Sequence, residues 1–368
     1  MPETQSVTAS IMIGVGSRYE NYKINGGVSH FLEHILFKGT TQRPSAEQIS
    51  REIDAVGGWN NAYTSNELTS FYIKVPRQHS ALALDILSDM VKNPLFEADE
   101  IERERGVIVE EMNVIRDEPD RYVGNLLSPL LWPKDPMGYP VVGEEGVINI
   151  MPRQSIIDYK DGHYTAENIV VSVAGHISHE AVLEQVERQM GDIVQGSLAT
   201  RPRLKRKSGE LTNGLKRPTN QSHFLIGCEG YQLDHPDDAT ARVVSAILGR
   251  GMSSRLFLSV RERLGLAYSV YTGYESFTDT GIFEVYAGVN NDKVHEAIAE
   301  VLKELETLRS KEVEMPELIK AKNQLRGGIQ MDMENNVKMS DQYGSELLLL
   351  NKILPTEEWL AMIDAVTP

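Results

Sequence analysis

The segment Gly26-Gly-Val-Ser-His-Phe-Leu-Glu-His-Ile-Leu-Phe-Lys-Gly39 combines a helical apolar pattern with three ionisable side chains. Glycines at both ends predict a short helix between them. That helix is apolar almost all round, which is typical of a buried helix. It nevertheless carries His30, Glu33 and His34. Because buried ionisable groups without partners are costly, we expect these three side chains to share a ligand.

The spacing of the two histidines indicates a metal ion. His30 and His34 are four residues apart, so their rings project from one face of the helix. Glu33 lies beside that face, where a carboxylate can act as the catalytic base. A catalytic zinc ion takes three protein ligands and keeps one position open. We therefore expect one Zn²⁺ per chain and a third ligand from another segment.

A second predicted helix, over residues 99–118, supplies inward-facing acids. Its inner stripe, at intervals of three and four residues, consists of Ile101, Glu104, Ile108, Glu111 and Ile115. Acids on an apolar stripe need a cationic partner, and a metal held by the first helix would provide one. The alternative is a chance match of the short histidine motif, with ion pairs accounting for the acids. Two inward acids on one helix favour the metal site.

The two halves of the chain are similar to each other. The strand-like run Phe71-Tyr-Ile-Lys-Val75 matches Phe283-Glu-Val-Tyr-Ala287 at an offset of 212 residues, and two later helices match at offsets of 215 and 217. This repeat predicts an α+β fold of two homologous domains, each a mostly antiparallel sheet with helices packed on one face. An α/β fold is the alternative for such a mixture of strands and long helices.

The predicted domains are residues 1–195 and 221–368, and a polar linker at 196–220 joins them. Thr367-Pro368 matches Met151-Pro152 of the first copy. The second domain should then lack counterparts of the strand at 168–175 and the helix at 180–190. We therefore interpret the second domain as cut short.

Charge and hydropathy exclude several functions. The 368 residues include 37 Lys and Arg against 53 Asp and Glu, a net charge of −16. This balance argues against a nucleic-acid partner and suits peptide substrates, basic ones among them. The alternative is that the acidic surface serves solubility alone. No apolar run approaches the ~18–20 residues of a membrane span.

The single cysteine, Cys228, excludes an internal disulfide and fits a reducing compartment. Its strand-like surroundings predict a small buried hydrophobe whose thiol pKa nothing nearby would lower. No signal peptide is visible in the first residues. We expect a bacterial cytoplasmic protein, with the mitochondrial matrix and the periplasm as alternatives.

His30-Phe-Leu-Glu-His34 is the inverted zincin motif, and Glu111 follows it after 76 intervening residues. With these residues the chain resembles the family of insulinase, pitrilysin and the mitochondrial processing peptidase. The resemblance covers nearly the whole chain and is strongest at 27–40, 57–69, 104–112, 251–257 and 261–268. The short Leu248-Gly-Arg-Gly-Met252 is most similar to the catalytic, beta-type processing peptidase and its bacterial single-chain relatives.

The resemblance implies roles for four further residues. Glu111 would be the third zinc ligand, and Glu104 would support the ligands from behind. Arg261 and Tyr268 would reach the substrate from the second domain, where such donors suit the oxyanion formed in peptide hydrolysis. A surface arginine and a core tyrosine are the alternative interpretation of that pair.

The resemblance also assigns Asn61, Ala62 and Thr64 to an edge strand that pairs with extended substrates. Backbone pairing predicts broad selection among peptides. The alternative is an ordinary strand after the Gly57-Gly58 turn. The second copy has no histidine between His235 and His295, so it should hold no matching metal site.

The function implied is that of a zinc-dependent endopeptidase that cleaves unfolded peptides or presequence-like segments. Members of the family form a clamshell of four homologous domains. Since this chain has two such domains, the resemblance implies a dimer of two chains. A homodimer is expected, and a heterodimer is the alternative. Two rival functions stay open: a non-catalytic core subunit of the same fold, which would lack metal ligands, and one subunit of a heterodimeric processing peptidase.

Overall fold

The computed structural model describes residues 1, 3–204 and 211–368, so residues 205–210 of the predicted linker lie outside the described part. The chain folds into two compact units. Unit 1 comprises Met1–Val114, Tyr139–Arg203 and Asp332–Ile353, and unit 2 comprises Ile115–Gly138, Leu204–Met331 and Leu354–Pro368.

The strands and helices are numbered here in chain order. The strands are β1 (Ser6–Ile13), β2 (Trp59–Thr64), β3 (Thr69–Pro76), β4 (Ile169–Gly175), β5 (Gln221–Gly230), β6 (Ala267–Ser276) and β7 (Gly281–Asn290). The helices are α1 (Tyr22–Asn25), α2 (Val28–Ile35), α3 (Ala46–Ala55), α4 (Ser80–Lys92), α5 (Ala98–Asp117), α6 (Pro119–Leu131), α7 (Glu145–Ile148), α8 (Arg153–His163), α9 (His179–Met190), α10 (Asp238–Gly249), α11 (Val294–Ser310), α12 (Met315–Asp332), α13 (Asn336–Leu350) and α14 (Thr356–Ala365). Within the described ranges, no helix has the length and apolar character needed to cross a membrane.

Unit 1 contains an antiparallel sheet with the strand order β2-β3-β1-β4. Successive side chains of a strand point to opposite faces of the sheet. On one face Ala9 and Ile11 of β1 are fully buried with Phe71 and Ile73 of β3, and α2 and α4 pack over them. This apolar layer is the core that supports the histidine helix.

The opposite face of the same sheet carries small polar residues and is covered by α13. Thr8 Oγ1 donates a hydrogen bond to Asn336 Oδ1 at 3.1 Å, and the hydroxyls of Ser10 and Ser340 lie 2.8 Å apart. Since α13 comes from the second half of the sequence, unit 1 includes a helix that the predicted boundary assigned to the second domain.

The helix α6 shows the opposite case: it comes from the first half of the sequence but belongs to unit 2. It packs against β5, where a Cβ added to Gly227 would lie 2.8 Å from Leu127 Cδ2. The compact units therefore differ from the predicted domains of residues 1–195 and 221–368 by these two helices.

Unit 2 repeats the first sheet with three strands in the order β5-β7-β6. By chain position β5, β7 and β6 correspond to β1, β3 and β2, which are neighbours in the same order in unit 1. Val285, Ala287 and Val289 of β7 form its core together with Leu256 and Val260. The predicted α+β fold of two units with antiparallel sheets is confirmed. The prediction of helices on one face alone is wrong for the first sheet, because α13 covers its second face.

The predicted match of Thr367-Pro368 with Met151-Pro152 stays a prediction. The helix α14 ends at Ala365, shortly before Pro368, as α7 ends at Ile148, shortly before Pro152.

The prediction of a buried cysteine is wrong. Cys228 lies near the end of β5 and is exposed. Its partial burial still raises the pKa of the thiol, with a further contribution from the charge of Glu229. Cys228 therefore remains a poor nucleophile, as its sequence surroundings predict.

Candidate metal centre

The histidine helix α2 is fixed at its start by a buried carboxylate. Glu20 accepts hydrogen bonds from the backbone N–H groups of Gly27 at 2.6 Å and Ser29 at 2.8 Å. A carboxylate at this end of a helix complements the positive end of the helix dipole. Burial raises the pKa of Glu20 to about 7, although both hydrogen bonds act to lower it. Glu20 thus orients the first turn of α2, next to His30.

Three predicted ligands meet at one point of unit 1. The Nε2 atoms of His30 and His34 each lie 3.5 Å from Glu111 Oε2. Within the described ranges these three residues form the one group of His, Cys, Asp or Glu side chains that could hold a metal, with all donor atoms within 4.8 Å of one another. Donors about 2.0–2.1 Å from a tetrahedral zinc ion lie roughly 3.3–3.4 Å apart. The donor types and the two His–Glu distances therefore fit Zn²⁺.

The two histidines have opposite pKa shifts. Burial and the neighbouring His34 lower the pKa of His30 to about 4, so its ring is neutral at physiological pH. Burial acts to lower the pKa of His34 as well, but its contacts with Glu104 and Glu111 outweigh burial and raise the pKa to about 9. The acids thus favour a positive charge at this position, which either a proton or a metal ion can supply.

Glu104 lies directly behind His34, as the resemblance implies. Its Oε2 is 3.1 Å from His34 Nδ1, and its Oε1 is 2.7 Å from Lys38 Nζ. Burial acts to raise the pKa of Glu104, but these two partners outweigh it and lower the pKa. An ionised partner on Nδ1 leaves Nε2 of the same ring free to bind a metal.

Glu33 lies on α2 between the two histidines and is held by the next strand. Thr64 Oγ1 donates a hydrogen bond of 2.7 Å to Glu33 Oε2. Burial raises the pKa of Glu33, and the bond from Thr64 partly offsets this effect. A carboxylate with a raised pKa is better matched to proton transfer near neutral pH than an exposed one.

The predicted substrate strand lies at the edge of the first sheet. Asn61, Ala62 and Thr64 belong to β2, whose hydrogen-bonded neighbour in the sheet is β3. Among the described strands none pairs with its outer edge, so an added strand could pair there. Ala62 N–H donates to Asn61 Oδ1 at 2.9 Å, a bond that a peptide would compete with.

Arg261 and Tyr268 lie in unit 2 and contact each other. Arg261 is at the end of a π-helical segment, Phe257–Arg263, and its guanidinium lies 5.5 Å from the centre of the Tyr268 ring and 4.8 Å from that of Phe257. The Tyr268 side chain is 74% exposed, so the alternative of a core tyrosine is wrong. Tyr268 is therefore exposed, whereas Arg261 is half-buried.

Sequence reasoning missed two residues at this centre, Glu20 and Lys38, and it assigned Thr64 to substrate pairing without its contact to Glu33. Glu20 and the hydrogen-bonding role of Thr64 left no periodic signal, because both act on α2 from other elements of unit 1. Lys38 could have been found, since it follows His34 by four residues and so shares its helical face.

Unit 1 holds a His/His/Glu group beside a second glutamate, an arrangement typical of a metal-dependent peptidase. Unit 2 repeats three of the four strands of its sheet in the same order. The model of the insulinase family, peptidase family M16, matches residues 1–145. A second model, described as the peptidase M16 inactive domain, matches residues 151–325. The chain belongs to this insulinase family.

Proteins of similar sequence support the assignment to this family. The uncharacterized zinc protease YmxG of Bacillus subtilis is 35% identical to this chain, and the match covers 99% of this chain and 88% of YmxG. An uncharacterized zinc protease of Rickettsia felis is 34% identical, with coverage of 100% and 88%. A protease from Helicobacter pylori shares the fold with a TM-score of 0.91 at 21% identity, over 100% of this chain and 90% of that chain.

Proposed function

We propose that this chain is a zinc-dependent endopeptidase. The observation that carries the proposal is the convergence of His30, His34 and Glu111 next to Glu33, whose carboxylate is held by Thr64. His30, His34 and Glu111 would hold the ion, one per chain. When bound, Zn²⁺ supplies Lewis-acid polarisation of the scissile carbonyl and acidifies water.

The chain's own residues would then handle the proton and the substrate. Glu33 removes a proton from the attacking water and returns it to the leaving amine. Glu104 keeps the ring of His34 in place through its Nδ1 atom. Arg261 and Tyr268 would stabilise negative charge on the substrate carbonyl oxygen.

An extended peptide is the substrate class that β2 supports best. Its open edge can pair with any peptide backbone, so selection by sequence would be weak. Only an unfolded segment presents such a backbone, which favours unfolded peptides or presequence-like segments. The net charge of −16 favours basic peptides among these.

The rival function is a non-catalytic core subunit of the same fold. The model that matches residues 151–325 describes an inactive domain, and this agrees with the absence of histidine between His235 and His295. The metal group of unit 1 favours catalysis instead. We further propose a homodimer in the bacterial cytoplasm, with a heterodimeric processing peptidase as the alternative assembly.

The test is cleavage of a peptide library by the purified chain, mapped by mass spectrometry before and after zinc removal. We expect broad cleavage that a chelator abolishes and added zinc restores. A chain that binds one zinc and cleaves nothing as a monomer or homodimer would contradict an independent peptidase. Activity that requires a second protein would identify the heterodimer, and light scattering of the active species would establish its size.

A further inference from the structure

Two adjacent residues of β2 are held from opposite faces of the first sheet. Thr64 points to the face that carries α2 and donates its hydroxyl to Glu33 at 2.7 Å. Tyr63 points to the other face, where its hydroxyl donates to Asp341 Oδ1 at 2.5 Å. Thr64, which contacts Glu33, therefore directly follows Tyr63, which contacts α13.

The helix α13 is firmly attached to this sheet away from its substrate edge. Asn336 Nδ2 donates to Ser6 O at 2.9 Å, and Ser340 Oγ donates to Ser172 O at 3.0 Å. These contacts fix α13 on β1, a central strand, and on β4, the strand at the edge opposite β2. Asp341 is the next residue after Ser340 and extends the contact to β2.

The strand β2 needs such a contact because it lies at the sheet edge. It spans six residues, none of which is fully buried, and its one hydrogen-bonded neighbour in the sheet is β3. Strands of this kind are among the less stable parts of a fold. Any movement of β2 would displace the Thr64 hydroxyl from Glu33.

We propose that Asp341 is a positioning residue for the base Glu33. By accepting the hydrogen bond of Tyr63, Asp341 fixes the end of β2, and β2 in turn presents the Thr64 hydroxyl to Glu33. A residue of the second half of the sequence thereby controls the geometry of the metal centre in unit 1. The inference rests on the proposed peptidase function.

A double-mutant cycle tests the proposal. Tyr63→Phe and Asp341→Ala should each lower kcat about 10-fold, because displacement of a catalytic group by a fraction of an ångström is costly. The double variant should be no slower than either single variant, since both changes remove one contact. Asp341→Asn keeps an acceptor oxygen and should restore most of the activity. Additive losses, or an unchanged kcat in Asp341→Ala, would overturn the proposal.

The matched control is Ser340→Ala, which removes a neighbouring contact of α13 to β1 and β4. It should lower the melting temperature to a similar degree but leave kcat unchanged. Hydrogen exchange gives a readout that does not depend on activity: amides of β2 should lose protection in Asp341→Ala and keep it in Ser340→Ala. Equal protection of β2 in both variants would refute the positioning role even if the wild-type chain cleaves no peptide.

Discussion

The Thr64 hydroxyl and the Glu33 carboxylate are joined by a 2.7 Å hydrogen bond between residues that are 31 positions apart in the chain. The bond orients the carboxylate without neutralising it, because a hydroxyl donor carries no charge. Burial raises the pKa of the same carboxylate. The Thr64 bond therefore both orients Glu33 and lowers its pKa, whereas burial has the larger and opposite effect on that pKa.

Replacement of Glu33 by Gln tests its role as a base. The amide keeps the size of the side chain and can accept the Thr64 bond, but it cannot take up a proton. We expect a loss of about 10²–10⁴-fold in kcat, with one zinc per chain retained because Glu33 is not a ligand. Metal analysis together with turnover of the same preparation makes the measurement. Full activity in a zinc-loaded variant would show that another group activates the water.

Glu104→Ala should weaken zinc binding without removing a ligand. Loss of the partner of a metal-binding imidazole typically costs about 10–100-fold in affinity, and Glu104 Oε2 lies 3.1 Å from His34 Nδ1. Competition with a chromophoric chelator measures the effect. Glu110→Ala is the matched control, because Glu110 is an exposed acid on the same helix. Equal zinc affinity in both variants would contradict the role of Glu104.

Tyr268→Phe tests the contribution of unit 2 to catalysis. Removal of one donor to an oxyanion costs about 10²–10³-fold in kcat. Because the Tyr268 side chain is 74% exposed, loss of its hydroxyl should not change the free energy of unfolding. Tyr271→Phe, on the same strand and 46% exposed, is the control and should keep full activity. A variant of Tyr268 with normal kcat would remove this residue from the proposed mechanism.

The metal group could be predicted from the sequence because metal binding requires particular residue types at particular spacings. Two histidines on one helical face are costly to bury unless they bind a cation. The structure brings both within 3.5 Å of Glu111, whose side chain is 40% exposed. The helix α5, which carries Glu111, also begins and ends within one residue of its predicted bounds. Strong periodicity makes such short-range features predictable.

The position of α13 could not be predicted from the sequence. Periodicity shows which face of a helix is buried but not which sheet receives it. Asn336, Ser340 and Gly344 are spaced by four residues and contact the small polar face of the first sheet, so they lack the apolar signal of a core helix. The contact of Asp341 with Tyr63 depends on this placement and was therefore not foreseen.

Glu20 makes the stability of unit 1 depend on pH in a defined direction. Its pKa is raised from 4.5 in the unfolded chain to about 7 in the folded one, mainly because of burial. Between these values the folded protein holds a proton that the unfolded chain has released. The free energy of unfolding should therefore fall as pH rises from 4.5 to about 7 and level off above that range.

The size of this effect follows from the shift, which corresponds to on the order of 3 kcal/mol at most. Glu20→Gln isolates it, because the amide cannot ionise and still accepts one backbone N–H. Denaturant unfolding of both proteins from pH 5 to pH 8, about the range in which the carboxyl titrates, gives the difference in the free energy of unfolding at each pH. We expect the wild-type protein to lose stability relative to the variant as pH rises, since only the wild type must then keep a buried charge. A constant difference across the range would mean that Glu20 is ionised throughout and that its two N–H partners outweigh the cost of its burial.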